Sequence, residues 1–159
     1  MPLPWTYPAA AVHAVFSLAS KPVFPAWLAV AFAPQSRKTR YLVLGTVLLN
    51  AIGYVWIAPA VALAPPAGVT FADLGNLNGI IRFFHLGETH HIAAAWMHYL
   101  AFDLVLGWFT ARDAQRVGIS RAVVAPCLFL TLMLGPTGTL SYFLIKAGMG
   151  RFNHPNSLF

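Results

Sequence analysis

The sequence predicts an all-α integral membrane protein, a four-helix bundle with a short amphipathic helix at the interface between its second and third spans. Three observations carry this. The 159 residues are 58% hydrophobic and only 9% charged, where a soluble domain carries about 25% charge. Four apolar runs are each long enough for a bilayer, which needs about 20 residues. The runs are continuous rather than alternating, which argues against a transmembrane barrel. One transmembrane domain over residues 1–159 is expected, with no separate soluble domain.

The first span covers about 9–32. Pro22 and Pro25 fall inside it, and a proline removes a donor and clashes with the preceding turn. A kink or break near 21–25 follows, with freed carbonyls there. His13, Ser17, Ser20 and Lys21 share one face by their spacing. They read as a polar packing seam or as part of a binding wall. A basic loop, 33–40, leads to the second span at about 41–64. Asn50 and Tyr54 share a face there, and an intramembrane asparagine commonly bonds a neighbouring helix. Pro59 is expected to kink the far end, and Pro65-Pro66 to stop it.

Residues 67–87 form the longest connection. Thr70 and Asp73 have the spacing of a helix-capping pair. Phe71, Leu74, Leu77, Ile81 and Phe84 then recur at helical intervals opposite Asn76, Asn78, Arg82 and His85. This is an amphipathic helix suited to the membrane surface. The third span covers about 88–109. The fourth covers about 121–146, with a hinge at Gly135-Pro136-Thr137-Gly138.

The net charge is +6. The cations sit at the ends of apolar runs, with no basic patch interleaved with aromatics, so they are topology signals and nucleic acid is excluded as a partner. Arg37, Lys38, Arg40, Arg112, Arg116 and Arg121 lie in two loops, against Arg82, Lys146 and Arg151 elsewhere. This bias puts the two loops in the cytoplasm and, with four spans, both termini on the non-cytoplasmic side. The start, Met1 to Trp5, has neither a signal-peptide nor a transit-peptide composition. A bacterial inner membrane is the expected home. The lone Cys127 is a packing residue.

The third span concentrates the chemistry. Glu88 and Asp103 are two of the four carboxylates, and His90, His91 and His98 are three of the six histidines. Ionisable groups within a span are costly and usually face protein or a cavity. His98 falls near the middle, and Asp103 lies roughly 7–8 Å further along the axis. Three readings stay open. His98 and Asp103 form an acid–base pair acting on a lipid-soluble substrate, with Trp96, Tyr99, Asn50, His13 and Lys21 as candidate substrate-binding residues. Alternatively His91 and His98, with Glu88 or His13, bind a metal or haem, although two turns separate the two histidines by about 10.5 Å. In the third, Asp103 pairs with Lys21 or an arginine and His98 bonds a carbonyl or Asn50. Composition names no cofactor, and it leaves open an oligomer or a larger membrane complex.

The run Ala95-Trp96-Met97-His98-Tyr99-Leu100-Ala101-Phe102-Asp103-Leu104, followed by Asp113, resembles the signature of the abscisic-acid-deficient-four-like membrane family. Ser17-Leu18-Ala19-Ser20, Pro25, Ala33-Pro34-Gln35 and Gly135-Pro136-Thr137-Gly138 extend the likeness along the chain. Plant members take part in converting violaxanthin to neoxanthin. The resemblance therefore implies a carotenoid or other isoprenoid partner and isomerase-like chemistry, with His98 and Asp103 matching the motif. A non-catalytic pigment-binding or assembly subunit is the alternative. The sequence departs from the plant pattern at His90-His91 and Lys21.

Overall fold

The computed structural model describes residues 7–158, with the side chain of Phe71 excepted. The expectation about the amino-terminal start, Met1 to Trp5, lies outside the described residues. Helix accounts for all the regular structure among them. The elements are α1 (Ala9–Ser20), α2 (Val23–Phe32), α3 (Arg37–Leu63), a 3-10 turn (Phe71–Gly75), α4 (Leu77–Leu86), α5 (Thr89–Arg116), α6 (Arg121–Leu134) and α7 (Pro136–Gly148). Among the described residues, three segments are long and apolar enough to cross a membrane: Ala9–Phe32, Arg37–Leu63 and Thr89–Arg116.

The first segment breaks where the prolines demand it. Pro22 precedes α2, and Pro25 falls in the first turn of that helix, where its missing N–H has no intrahelical partner to lose. The second helix stops at Leu63, just before Pro65-Pro66, and keeps Pro59 in its interior. Arg37, Lys38 and Arg40 form its first turn rather than a loop. The third helix runs to Arg116 instead of ending near Phe109, so Asp113 is part of the helix.

The residues divide into two compact units. The first holds residues up to Ser20 together with Leu49–His98. Its core is Val12, Ala19, Ile57, Ala93, Ala94 and Met97. Gly53 admits the neighbouring helices closely, since a Cβ there would lie 3.0 Å from the Met97 sulfur and 3.2 Å from Val15. Asn50 is buried, and its Nδ2 donates to the Ala19 carbonyl at 2.9 Å. That carbonyl belongs to the last turn of α1, where the break removes the next helical donors. In the connection, the Thr70 N–H and hydroxyl donate to the Asp73 carboxylate at 2.8 and 2.7 Å. Arg82 donates to the other Asp73 oxygen at 2.8 Å. The capping pair and the amphipathic helix thus form as expected, as a 3-10 turn followed by α4. Leu77, Ile81 and Phe84 leave an exposed apolar face on that helix.

The second unit holds Lys21–Leu48 and residues from Tyr99 onward. Trp27, Val43, Leu104, Trp108, Leu128 and Tyr142 centre its core. Gly107 lies flat against the Trp27 ring with no room for a Cβ. Trp108 Nε1 donates to the Pro34 carbonyl at 3.0 Å, and the Arg112 guanidinium covers the Trp108 ring at 4.9 Å.

The expected fourth span is not formed. Gly138 has no space for a Cβ because the Thr131 backbone nitrogen and the Cys127 carbonyl press against it. In a continuous helix, eleven residues would put Cys127 about 16 Å away. The chain has therefore reversed, and α6 and α7 make a hairpin. Gly135 supplies the reversal at φ +47°, ψ −99°, a backbone that L side chains rarely adopt. The arms are about 21 and 20 Å long by the helical rise, shorter than a hydrocarbon core of about 30 Å. The hairpin also brings the tail back. The Leu158 N–H donates to Asp113 Oδ1 at 2.5 Å, near the end of α5. Lys146 and the tail therefore lie beside the end of α5, whereas a continuous fourth helix would carry them away from it.

Candidate functional site

The first unit carries two grooves along the first half of α5. The smaller has a volume of about 390 Å³ and includes Tyr54, Val69, Phe83, His91, Ala94 and His98 in its wall. The helix sets the two histidines two turns apart on one face. The Tyr54 ring centroid from α3 lies 6.2 Å from that of His98. Thr70 and Leu74 bring the connection to one end of the groove. His91 is the third residue of α5, and its Nδ1 accepts the Glu88 N–H at 3.1 Å. The ring stands edge-on to Phe83, with centroids 5.2 Å apart, and lies 4.0 Å from the His90 ring. The remaining wall is almost entirely apolar. Such a surface suits a lipid-soluble ligand with a few polar points of attachment.

The larger groove, about 540 Å³, is walled by Val12, His13 and Phe16 of α1 and by Glu88, Ile92 and Trp96 of the α5 segment. Glu88 is mostly exposed, 3.8 Å from His90 Nδ1. The larger groove does not hold His98. The smaller one combines two imidazoles and a phenol in an apolar wall and is the better candidate for chemistry.

The structure sorts the predicted residues accordingly. His98 joins His91 and Tyr54. Trp96 and His13 join Glu88 in the other groove. Asn50 lines neither, being tied to Ala19. Lys21 is exposed at the break between α1 and α2, and Tyr99 is half exposed in the second unit. Asp103 also belongs to the second unit. Its Oδ1 lies 3.0 Å from where a Gly135 Cβ would be, at the turn of the hairpin. Five residues turn a helix by about 500°, so His98 and Asp103 leave α5 on different sides. The proposed metal set of His91, His98 and Glu88 does not assemble: among the described residues no three His, Cys, Asp or Glu side chains converge to hold an ion.

One cluster escaped the sequence reading. Asp113 and Lys146 are both fully buried and lie 2.6 Å apart. The Tyr142 hydroxyl donates to the same Asp113 oxygen. Lys146 Nζ also lies 2.6 Å from Ser157 Oγ and 5.2 Å from the Phe152 ring. The spacing of Tyr142 and Lys146, one helical turn apart in an apolar helix, was the available signal. Two polar groups on one face of a buried helix need a partner, and Asp113 is it.

A family profile described as ABA DEFICIENT 4-like matches residues 14–142. The chain belongs to the ABA DEFICIENT 4-like family. The match covers the smaller groove's helices, the Trp96–Asp103 run, Asp113 and the α6–α7 turn, and it ends at Tyr142; Val12 and His13 of the larger groove precede it. No curated protein and no solved structure matches the chain. Within this ABA DEFICIENT 4-like chain the matched region thus includes the His98 groove and, from the buried cluster, Asp113 and Tyr142, while Lys146 and Ser157 lie beyond it.

Proposed function

We propose that this ABA DEFICIENT 4-like protein is a membrane enzyme of carotenoid or isoprenoid metabolism that performs isomerase-like acid–base chemistry on a polyene. The observation that carries the proposal is the apolar groove with His98 and His91 in its wall. Family membership supplies the carotenoid direction. His98 serves as base and takes a proton from carbon beside the conjugated chain. The electron pair moves along the polyene and opens a ring-epoxide C–O bond, and the alkoxide takes up a proton. One proton leaves and one arrives, so the formula is unchanged. His98 is exposed at the groove wall, which leaves its ring open to a bound polyene.

Asp103 has a different part in this reading. Its carboxylate sits at the Gly135 turn, beside the amino terminus of α7, where a negative charge is favourable. It positions the hairpin. A non-catalytic subunit that binds pigment is the second reading, favoured by the exposed Trp96, Tyr99 and Phe102 along α5. Expression in a carotenoid-producing host separates the two. The enzyme converts a host pigment, and His98→Ala stops conversion at unchanged protein level. Conversion that persists at equal abundance in His98→Ala sinks the acid–base reading.

For location we propose a bacterial inner membrane with three crossings. The basic ends of α3 and α5 face the cytoplasm, the amino terminus faces away, and the tail joins Asp113 on the cytoplasmic side. A carboxy-terminal reporter active only outside the cytoplasm would contradict this.

A further inference from the structure

A topology signal requires only charge, and exposed Lys38 in the first turn of α3 supplies it. Arg112, in the last turns of α5, is held far more closely. Its guanidinium lies over the ring of Trp108, one helical turn back, at 4.9 Å. Its Nε donates to Gln35 Oε1 at 3.3 Å, and Gln35 Nε2 donates in return to the Arg112 carbonyl at 3.2 Å. The bond from Trp108 Nε1 to the Pro34 carbonyl, at 3.0 Å, ties the same loop to the same helix. These contacts set the plane of the guanidinium, yet its two terminal nitrogens have no acceptor among the described residues. Arg116 follows one turn later on the same face and is exposed. Arg116 and Arg40, from the first turn of α3, are near enough to repel the Arg112 charge. The carboxylate next in sequence does not neutralise them, because both Asp113 oxygens are taken by Tyr142, Lys146 and the Leu158 N–H. Exposed Phe32, Tyr41 and Phe109 flank these arginines in sequence, as aromatic residues do at the headgroup level of a bilayer.

We propose that Arg112, with Arg116 and Arg40, binds a phosphate group, and that this phosphate belongs to the headgroup of an anionic phospholipid. A planar guanidinium presents paired N–H donors that match two phosphate oxygens, a fork that lysine lacks. Gln35 and Trp108 orient that fork before the lipid arrives, so little side-chain freedom is lost on binding. The α5 helix is long and apolar enough to cross a membrane, and lipid phosphates lie at the ends of such a helix. A zwitterionic headgroup also carries a phosphate, but Arg40 and Arg116 repel its ammonium. Selection for the anionic lipid follows. None of these residues lines either groove, so the site stands apart from the polyene chemistry.

The test is native mass spectrometry of the full chain in detergent, titrated with phosphatidylglycerol or with phosphatidylcholine. The wild type should retain phosphatidylglycerol with about tenfold higher affinity. Arg112→Gln should remove that preference. Arg112→Lys keeps the charge but loses the fork, and should lose most of it. Arg116→Gln alters an exposed side chain that makes no hydrogen bond among the described residues, so it spares the fold and should weaken the preference. Lys38→Gln removes a charge from the same end of α3 and should change nothing. If Lys38→Gln weakens binding as much as Arg112→Gln does, or Arg112→Lys keeps the full preference, diffuse charge holds the lipid and the proposal is overturned. Equal retention of the two lipids by the wild type overturns it too. Inorganic phosphate separates the two sources of the group. At millimolar concentration it should leave phosphatidylglycerol bound, whereas displacement would assign the site to free phosphate and overturn the lipid reading.

Discussion

The charged cluster of the second unit and the histidine pair of the first hold their buried polar groups in opposite ways. In the second, Asp113, Lys146 and Tyr142 satisfy one another, and the Leu158 N–H takes the remaining Asp113 oxygen. In the first, the His90 Nε2 atom is buried without a hydrogen bond, and His91 borders a groove. A closed polar network rigidifies a packed interior. Polar side chains in the wall of an apolar cavity are what a binding site needs before its ligand arrives. Substitutions in the second unit should therefore act through stability, and substitutions around the first unit's groove through function.

The largest effect should come from the closed network. Asp113→Ala leaves the Lys146 ammonium buried without its carboxylate, which costs about 3–5 kcal/mol. Unfolding in detergent should show this, together with low abundance in the membrane. Asp113→Leu combined with Lys146→Met should recover much of the loss, because no uncompensated charge remains. A single variant as stable as the wild type would contradict the closed-network picture.

Next comes the hairpin. Gly138→Ala adds a methyl where the Thr131 and Cys127 backbones leave no room, an overpacking cost of about 1–3 kcal/mol. Cysteine labelling provides a second check, since Cys127 is buried in this packing and should react faster in the variant. A continuous fourth span would tolerate the change without either effect.

Asn50→Leu sharpens the comparison from within the first unit. It removes the hydrogen bond to Ala19 and should cost about 1–2 kcal/mol at most, as interhelical bonds in membranes do. Pigment conversion per folded protein should be unchanged, because Asn50 lines neither groove. A selective loss of conversion would return Asn50 to the site.

The smallest effect concerns pH in the connection. The Thr70 hydroxyl and backbone hold the Asp73 carboxyl below its ordinary value, with Arg82 adding to this. A depressed folded-state pKa means the contribution is present above the ordinary carboxylate value. It is lost as pH falls through the lower folded value. Amide exchange over residues 70–82 should accelerate only in that acid range, and Asp73→Asn should remove the dependence. Faster exchange starting near neutral pH would point to another group.

Local physical chemistry was legible from residue order. Pro22 breaks the first segment, Pro65-Pro66 follows the end of the second, and Thr70 with Asp73 starts the connection, because each acts within one turn of itself. The third helix was recognised as the carrier of ionisable groups, and His98 does border a groove. His91 was legible as a histidine but not as the acceptor that caps the start of α5. That depends on the Glu88 N–H being turned toward Nδ1.

Composition alone determined that this chain is helical, apolar enough for a membrane, and interrupted at Gly135-Pro136. Tertiary structure alone decided what the interruption does. A glycine–proline pair ends a helix whether the chain then continues forward or turns back, since the local backbone terms favour neither direction. The direction was settled by contacts remote in sequence. Gly138 packs onto Cys127 and Thr131, and Lys146 and Tyr142 meet Asp113 about thirty residues away. Burying a carboxylate and an ammonium is tolerable only when they meet, so the hairpin that joins them also withdraws them from lipid.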